Sequence, residues 1–184
     1  MKKLRVAYQL YSARQEAAKD LQKVLKTLKK LGYDGVEFAG FFGHPAKEIR
    51  MMLADVGLDA VSSHVRVADL KRDLDDIIAY HRKIGCRYIT IPYLEENQRP
   101  GKPGFADIIR FAFETGKRCR KEGMQLLYHN HDFEFEKVSG MYGLDFLFAA
   151  VPQKLLQTEI DTCWVDYAGV DPAAYLLKYK GRAP

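Results

Sequence analysis

The 184-residue sequence lacks several features that mark common classes of protein. Its three cysteines, Cys86, Cys119 and Cys163, form no C-x-x-C pair, so neither a disulfide framework nor a zinc ribbon is predicted. No apolar run approaches the roughly 18 residues that would cross a bilayer. The first residues also lack the apolar segment and small-residue cleavage site of a signal peptide, so we expect a cytoplasmic protein with no membrane partner.

Basic residues are in excess, but they are not arranged as in nucleic-acid-binding proteins. The formal net charge is +5 and the sequence pI is about 9.0. Lys and Arg are spread along amphipathic segments such as KDLQKVLKTLKK, without interleaved aromatic residues. This pattern favours a solvated basic surface and predicts no nucleic-acid partner. Hydrophobic residues make up 47% of the chain, enough for the core of one domain over residues 1–184.

A glycine followed by a short apolar run recurs along the chain. The four stretches are KLGYDGVEF, DVGLDAVSSH, KIGCRYITIPY and KEGMQLLYHNH. An apolar stripe at helical spacing precedes each glycine, and glycine just past a helix end allows the left-handed turn that stops the helix. The apolar runs suit strands that are buried on both faces.

The order of strand and helix repeats six times. The equivalent strand ends lie 27 to 36 residues apart, at Gln9, Glu37, His64, Tyr93, His129 and Asp161. This regularity predicts an α/β fold, a TIM (β/α)₈ barrel, with an open doubly wound sheet as the alternative. No G-x-G-x-x-G motif follows the first strand, which argues against a dinucleotide-binding sheet.

The chain is short for a complete barrel. A full barrel needs about 250 residues, so we expect one truncated to about six β/α units, with the last two strands missing. The unpaired edge strands of such a barrel would favour association, so a homo-oligomer is possible.

Polar residues collect at the predicted strand ends, on the face where TIM barrels carry their active sites. Side chains alternate along a strand, so His129 and His131 face one way and Asn130 the other. Asp161 would end the neighbouring strand. Two imidazoles and a carboxylate from adjacent strands suit Mn, Co, Zn, Fe or Ni.

Other polar and aromatic residues near the strand ends each have two interpretations. Glu37 could hold a substrate hydroxyl or only a backbone N–H, and His64 could contact substrate or cap a loop. Trp164 could form an apolar wall for a sugar ring or pack under the next helix. Glu134 and Glu136 lie beyond the strand, so one could act as a base or both could be solvated.

Five segments together resemble the sugar phosphate isomerase/epimerase family of xylose isomerase-like TIM barrels. They are AYQLYSAR, LGYDGVEFAG, VSSHV, LLYHNHDFEFEKV and EIDTCWVDYAGVDPAAYLLKYKGR, and they follow the family's order over essentially the whole chain. The family also includes inosose dehydratases and hydroxypyruvate isomerases.

The resemblance implies a divalent metal (Mn, Co, Zn, Fe, Ni or Mg) at the carboxyl-terminal mouth of the barrel. Asp161 matches the family's strand-six ligand, and His129 stands where relatives carry a strand-five glutamate. Trp164 replaces a histidine that epimerase relatives often have, which implies a different substrate. The implied reaction is isomerisation or epimerisation of a carbohydrate through an enediolate, with His129, His131 or Glu134 as the base.

We therefore predict metal ligands at His129 and Asp161 and catalytic groups at His131 and Glu134. The predicted substrate-binding residues are Gln9, Glu37, His64 and Trp164. The alternatives are an inosose-dehydratase-like lyase, a non-catalytic sugar-binding protein and an inactive fragment. A nuclease related to AP endonuclease IV is a weaker hypothesis, because the predicted strand ends carry few of the ligands that a multi-zinc site needs.

Overall fold

A computed structural model describes residues 4–184 of the protein, in which strands and helices alternate. The strands are β1 (Ala7–Gln9), β2 (Gly35–Ala39), β3 (Asp59–His64), β4 (Tyr88–Ile91), β5 (Gln125–His129), β6 (Lys137–Val138), β7 (Met141–Tyr142) and β8 (Leu156–Glu159). The helices are α1 (Arg14–Lys30), α2 (Ala46–Val56), α3 (Val67–Ile84), α4 (Phe105–Lys121), α5 (Gly143–Ala150), α6 (Thr162–Tyr167) and α7 (Pro172–Lys178). Short 3₁₀ turns cover Leu10–Ala13, Glu96–Gln98 and Phe133–Phe135.

Six strands form one parallel sheet in the order β1-β2-β3-β4-β5-β8. The pairs β1–β2, β2–β3 and β5–β8 are parallel, whereas β6 and β7 form a separate antiparallel pair. Sheet neighbours follow chain order throughout, whereas a doubly wound sheet reverses direction part-way. The strand order confirms the predicted α/β class and argues against the doubly wound alternative.

Contacts divide the chain into two compact units. The first comprises residues up to Val65 together with Asp73–Ile89, and the second comprises Arg66–Arg72 together with Thr90–Pro184. One boundary falls within α3, where Asp73 has a non-helical backbone (φ −133°, ψ 32°), and another falls within β4, between Ile89 and Thr90. The single domain over residues 1–184 stays a prediction.

The core of the first unit comes from the apolar stripes of α1 and α2 and from the side chains of β2. Leu21 and Leu25 of α1 and Ile49 of α2 are at most 1% exposed, as the helical spacing predicts. Each such side chain contributes about 1.5–3 kcal/mol on full burial. Gly57 ends α2 with φ +69°, and its N–H donates to Leu53 O (2.9 Å). This cap directs the chain into β3.

Gly116 lies on the buried face of α4 in the second unit. A glycine inside a helix costs about 1 kcal/mol relative to alanine. Here a Cβ atom would lie 2.3 Å from the backbone oxygen of Leu155, immediately before β8. The glycine therefore allows α4 to approach the backbone of that segment closely.

None of the helices within residues 4–184 has the length and apolar character needed to cross a membrane.

Candidate functional site

Strands β5 and β8 end side by side in the second unit. Their register pairs His129 with Glu159, the last residue of each strand. Asp161 lies two residues beyond β8, and its Oδ1 accepts hydrogen bonds from the N–H groups of Cys163 (2.9 Å) and Trp164 (3.1 Å). The prediction that Asp161 ends the strand was wrong, because its side chain caps α6 instead. The prediction of Tyr93 as a strand end was also wrong, since β4 stops at Ile91.

The imidazole of His129 contacts two carboxylates. Its Nδ1 is 3.3 Å from Glu159 Oε1, and its Nε2 is 3.9 Å from Asp161 Oδ2. The hydroxyl of Thr90 donates to the other oxygen of Glu159, Oε2 (2.9 Å). One oxygen of each carboxylate therefore accepts hydrogen bonds within the unit, and the second oxygen lies toward the ring.

This arrangement fits a bound cation. A neutral imidazole carries one N–H, so it can donate to only one of two carboxylates, and its other nitrogen presents a lone pair. A lone pair facing a carboxylate oxygen is repulsive unless the ring is protonated or a cation lies between them. A ring nitrogen and a carboxylate oxygen are donors that Mn²⁺, Fe²⁺, Co²⁺ or Zn²⁺ accepts. His129 and Glu159 belong to a group that could hold a metal ion. Asp161 lies nearest the other ring nitrogen of His129, so its role as a metal ligand stays a prediction.

The side chain of Asn130 links the ends of the same two segments. Its Nδ2 donates to the backbone oxygen of Asp161 (3.1 Å), and its Oδ1 accepts from the N–H of Asp161 (2.9 Å). The Asn130 side chain is fully buried. The amide therefore fixes the separation of His129 and Asp161.

We expect Asn130→Ala to lower the free energy of unfolding by about 2 kcal/mol, because it leaves two backbone groups of Asp161 without their side-chain partner. Urea denaturation followed by circular dichroism measures this change. Asn97→Ala, at an exposed position, is the control and should stay within about 0.5 kcal/mol of the parent. Equal stability of the two variants would contradict the role given to Asn130.

His131 lies in a group of aromatic rings. Its ring stacks on Phe133 (centroids 5.7 Å apart, interplanar angle 5°) and contacts Trp164 (5.1 Å) and Tyr93 (5.3 Å). The ring of His129 is 5.1 Å from that of His131. Trp164 therefore packs against a predicted catalytic histidine, and its role in binding a sugar ring stays a prediction.

Glu134 is buried, unlike its neighbour Glu136. Its 3₁₀ turn folds the carboxyl back, where Oε1 accepts from the hydroxyl of Tyr128 (2.7 Å) and Oε2 from the N–H of His131 (2.8 Å). Glu134 is 1% exposed, whereas Glu136 is exposed. The interpretation of Glu134 as a solvated loop residue was wrong.

Burial raises the pKa of the Glu134 carboxyl to about 7, against the opposing effect of its hydrogen bonds from Tyr128 and His131. Burial, together with Glu134, raises the pKa of the Tyr128 hydroxyl well above its ordinary value. The pair can therefore hold a proton near neutral pH. A catalytic role for Glu134 stays a prediction.

The first unit brings three predicted substrate-binding residues together at the ends of β1, β2 and β3. The side-chain amide of Gln9 donates to Glu37 Oε1, and His64 Nε2 is 3.3 Å from the same oxygen. The register of β1 on β2 pairs Gln9 with Glu37. Glu37 thus contacts two side chains, and substrate binding by the three residues stays a prediction.

Sequence reasoning missed Glu159 as a ligand candidate. Glu159 and Asp161 have the same parity along the chain, so the alternation that groups His129 with His131 would also have selected Glu159. No sequence pattern indicates Thr90 as the hydrogen-bond donor to Glu159, because Thr90 lies 69 residues earlier on β4.

Comparison with solved structures identifies the fold of this chain. A sugar phosphate isomerase/epimerase from Parabacteroides distasonis superposes with a TM-score of 0.84 at 23% identity, covering 98% of this chain and 77% of that one. The fold is that of the xylose isomerase-like TIM barrels. An AP endonuclease of family 2 from Brucella melitensis shares this fold, with a TM-score of 0.75 at 13% identity over 98% of this chain and 77% of the other.

One characterised relative is similar in sequence. The inosose dehydratase of Geobacillus kaustophilus is 22% identical over 87% of this chain. This chain spans 58% of the length of that enzyme. No protein-family model matches the chain.

Proposed function

We propose that the protein is a divalent-metal-dependent isomerase or epimerase of a sugar, keto-sugar or polyol, acting through an enediolate-type proton transfer. The observation that carries the proposal is the imidazole of His129 between the carboxylates of Glu159 and Asp161. His129 and Glu159 would hold the metal, and Asp161 is the further ligand that the sequence predicts. A bound divalent ion supplies Lewis acidity toward the oxygen atoms of an α-hydroxycarbonyl substrate.

In this proposal His131 exchanges the proton of the substrate C–H group. Its ring is oriented by the stacked ring of Phe133 and by Trp164. Glu134 is a positioning residue, because its carboxylate accepts the backbone N–H of His131. Orientation of this kind matters because a general base must lie within hydrogen-bond reach of the proton that it removes.

In this proposal the substrate is contacted by residues that offer both hydrogen-bond donors and acceptors. Gln9, Glu37 and His64 provide an amide, a carboxylate and an imidazole, which between them donate to and accept from sugar hydroxyls. Trp164 provides an apolar surface for the C–H face of a ring.

A second candidate is a lyase that removes water from an inosose or a related keto-polyol. The sequence similarity to inosose dehydratase supports it. Both reactions can begin by removing a proton next to a carbonyl group, so the same residues serve either one. The likeness to an AP endonuclease is one of fold, and the spread of Lys and Arg along amphipathic segments favours a carbohydrate over a nucleic acid.

Solvent deuterium exchange tests the proposal. Protein supplied with Mn²⁺ is incubated in D₂O with a panel of ketoses, aldoses and inososes, and the products are analysed by mass spectrometry and NMR. An isomerase or epimerase introduces deuterium next to the carbonyl carbon, whereas a dehydratase gives a product that has lost water. His131→Gln should reduce exchange at least about 100-fold, and His44→Gln, at a half-buried position just before α2, should leave it unchanged. Sugar binding without exchange or water loss would overturn the proposal in favour of a non-catalytic protein.

A further inference from the structure

A cavity in the first unit opens at the amino-terminal edge of the sheet, at the start of β3 and β4. Its volume is about 630 Å³, within the range of small-molecule sites. His64 ends β3 five residues after Asp59, and a strand rises about 3.3 Å per residue. The cavity therefore lies roughly 16 Å along β3 from His64, too far for one small sugar to contact both ends.

Arginine dominates the charge of this cavity. Arg5, Arg50 and Arg87 line it, and Asp59 is its single acidic lining residue. Arg5 is paired with Asp59. Within residues 4–184, the side chains of Arg50 and Arg87 make neither an ion pair nor a hydrogen bond, and both residues are exposed. The cavity thus contains two guanidinium groups whose charge is not neutralised by a neighbouring carboxylate.

Part of the cavity lining is apolar. Leu53, Leu58 and Ile84 line it and are between 4% and 6% exposed. Tyr88, at the start of β4, adds an aromatic ring to the lining.

We propose that this cavity binds a small molecule carrying a diphosphate or two phosphate groups. The planar, permanently charged forks of Arg50 and Arg87 match phosphate oxygens in bidentate geometry. The organic part of the ligand would contact Ile84 and Tyr88. Because the cavity is at the opposite end of β3 from His64, the ligand is an effector, distinct from the carbohydrate substrate.

Binding of inorganic pyrophosphate tests the inference without any activity measurement. Isothermal titration calorimetry at constant ionic strength should give a dissociation constant below about 1 mM for the unmodified protein. The double variant Arg50→Gln/Arg87→Gln should bind at least 10-fold more weakly. Both residues are exposed, and their side chains make no hydrogen bond to any residue from 4 to 184, so the variant should fold normally, which circular dichroism checks.

The matched control is Lys26→Gln/Lys30→Gln, which removes the same net charge from exposed positions of α1. It should retain the affinity of the parent for pyrophosphate. Equal weakening in both double variants would show attraction by net charge alone and would overturn the inference. Absence of pyrophosphate binding by the unmodified protein would overturn it as well. Neither result bears on solvent deuterium exchange, so this inference and the proposed reaction fail separately.

Discussion

Glu159→Gln should weaken Mn²⁺ binding at least about 100-fold. Loss of a residue that only orients a metal ligand already lowers metal affinity about 10- to 100-fold, and loss of a ligand itself should lower it at least as much. The substitution removes the negative charge 3.3 Å from His129 Nδ1 and keeps the size of the side chain. The amide oxygen can still accept from the hydroxyl of Thr90, so the end of β8 should stay in place. The expected loss is therefore one of metal affinity and not of folding.

The measurement is a titration followed by electron paramagnetic resonance of free Mn²⁺ at pH 7.5. Glu48→Gln is the matched control, because Glu48 contacts His44 Nδ1 at 2.9 Å on the exposed surface of α2. It should bind Mn²⁺ as the parent does. An unchanged affinity in Glu159→Gln, or an equal loss in the control, would contradict a metal site at His129.

The metal site and the proposed reaction are connected through the segment that follows β5. His129 lies at the end of the strand and His131 two residues later, with Asn130 between them bound to the backbone of Asp161. The ring centroids of the two histidines are 5.1 Å apart. Under the proposed function, His129 would bind the metal and His131 would exchange the substrate proton.

The fold could be predicted because its signal repeats. Four stretches share an apolar stripe, a glycine at the helix end and a short apolar run, and an isolated error in one of them does not change the pattern. Helix α2 and its cap at Gly57 show the rule in one place. Strand ends were less certain, because a polar residue after an apolar run can either extend the strand or cap the next helix. Asp161 does the second.

The site was only partly predictable for a different reason. Alternation along one strand is encoded locally, and it places His129 and His131 on one side. The partners that decide their chemistry come from other strands, as Thr90 does for Glu159. Glu134 shows most clearly what the sequence does not predict, because EFE after a strand resembles a solvated loop. Only the 3₁₀ turn of Phe133–Phe135 buries its carboxyl against Tyr128.

The burial of Glu134 should make the stability of the protein depend on pH. Its pKa is about 7 in the folded protein, above the ordinary value of 4.5. The folded state therefore binds this proton more tightly than the unfolded state, so stability falls as pH rises from about 4.5 to 7. One pKa unit corresponds to about 1.4 kcal/mol. The raised pKa of Glu134 therefore lowers the free energy of unfolding at pH 8 by ~3 kcal/mol.

Glu134→Gln should remove that loss. The amide mimics the protonated acid, because its oxygen can accept from the N–H of His131 while its NH₂ group donates to Tyr128. We expect the variant to be more stable than the parent by ~3 kcal/mol at pH 8, and by much less at pH 5. Urea denaturation at both pH values measures the difference. Glu136→Gln removes an exposed carboxylate two residues away and should follow the parent at each pH. If Glu134→Gln kept the pH dependence of the parent, the carboxyl would have to be ionised in the folded protein at pH 5, and its role as a proton store beside His131 would be wrong.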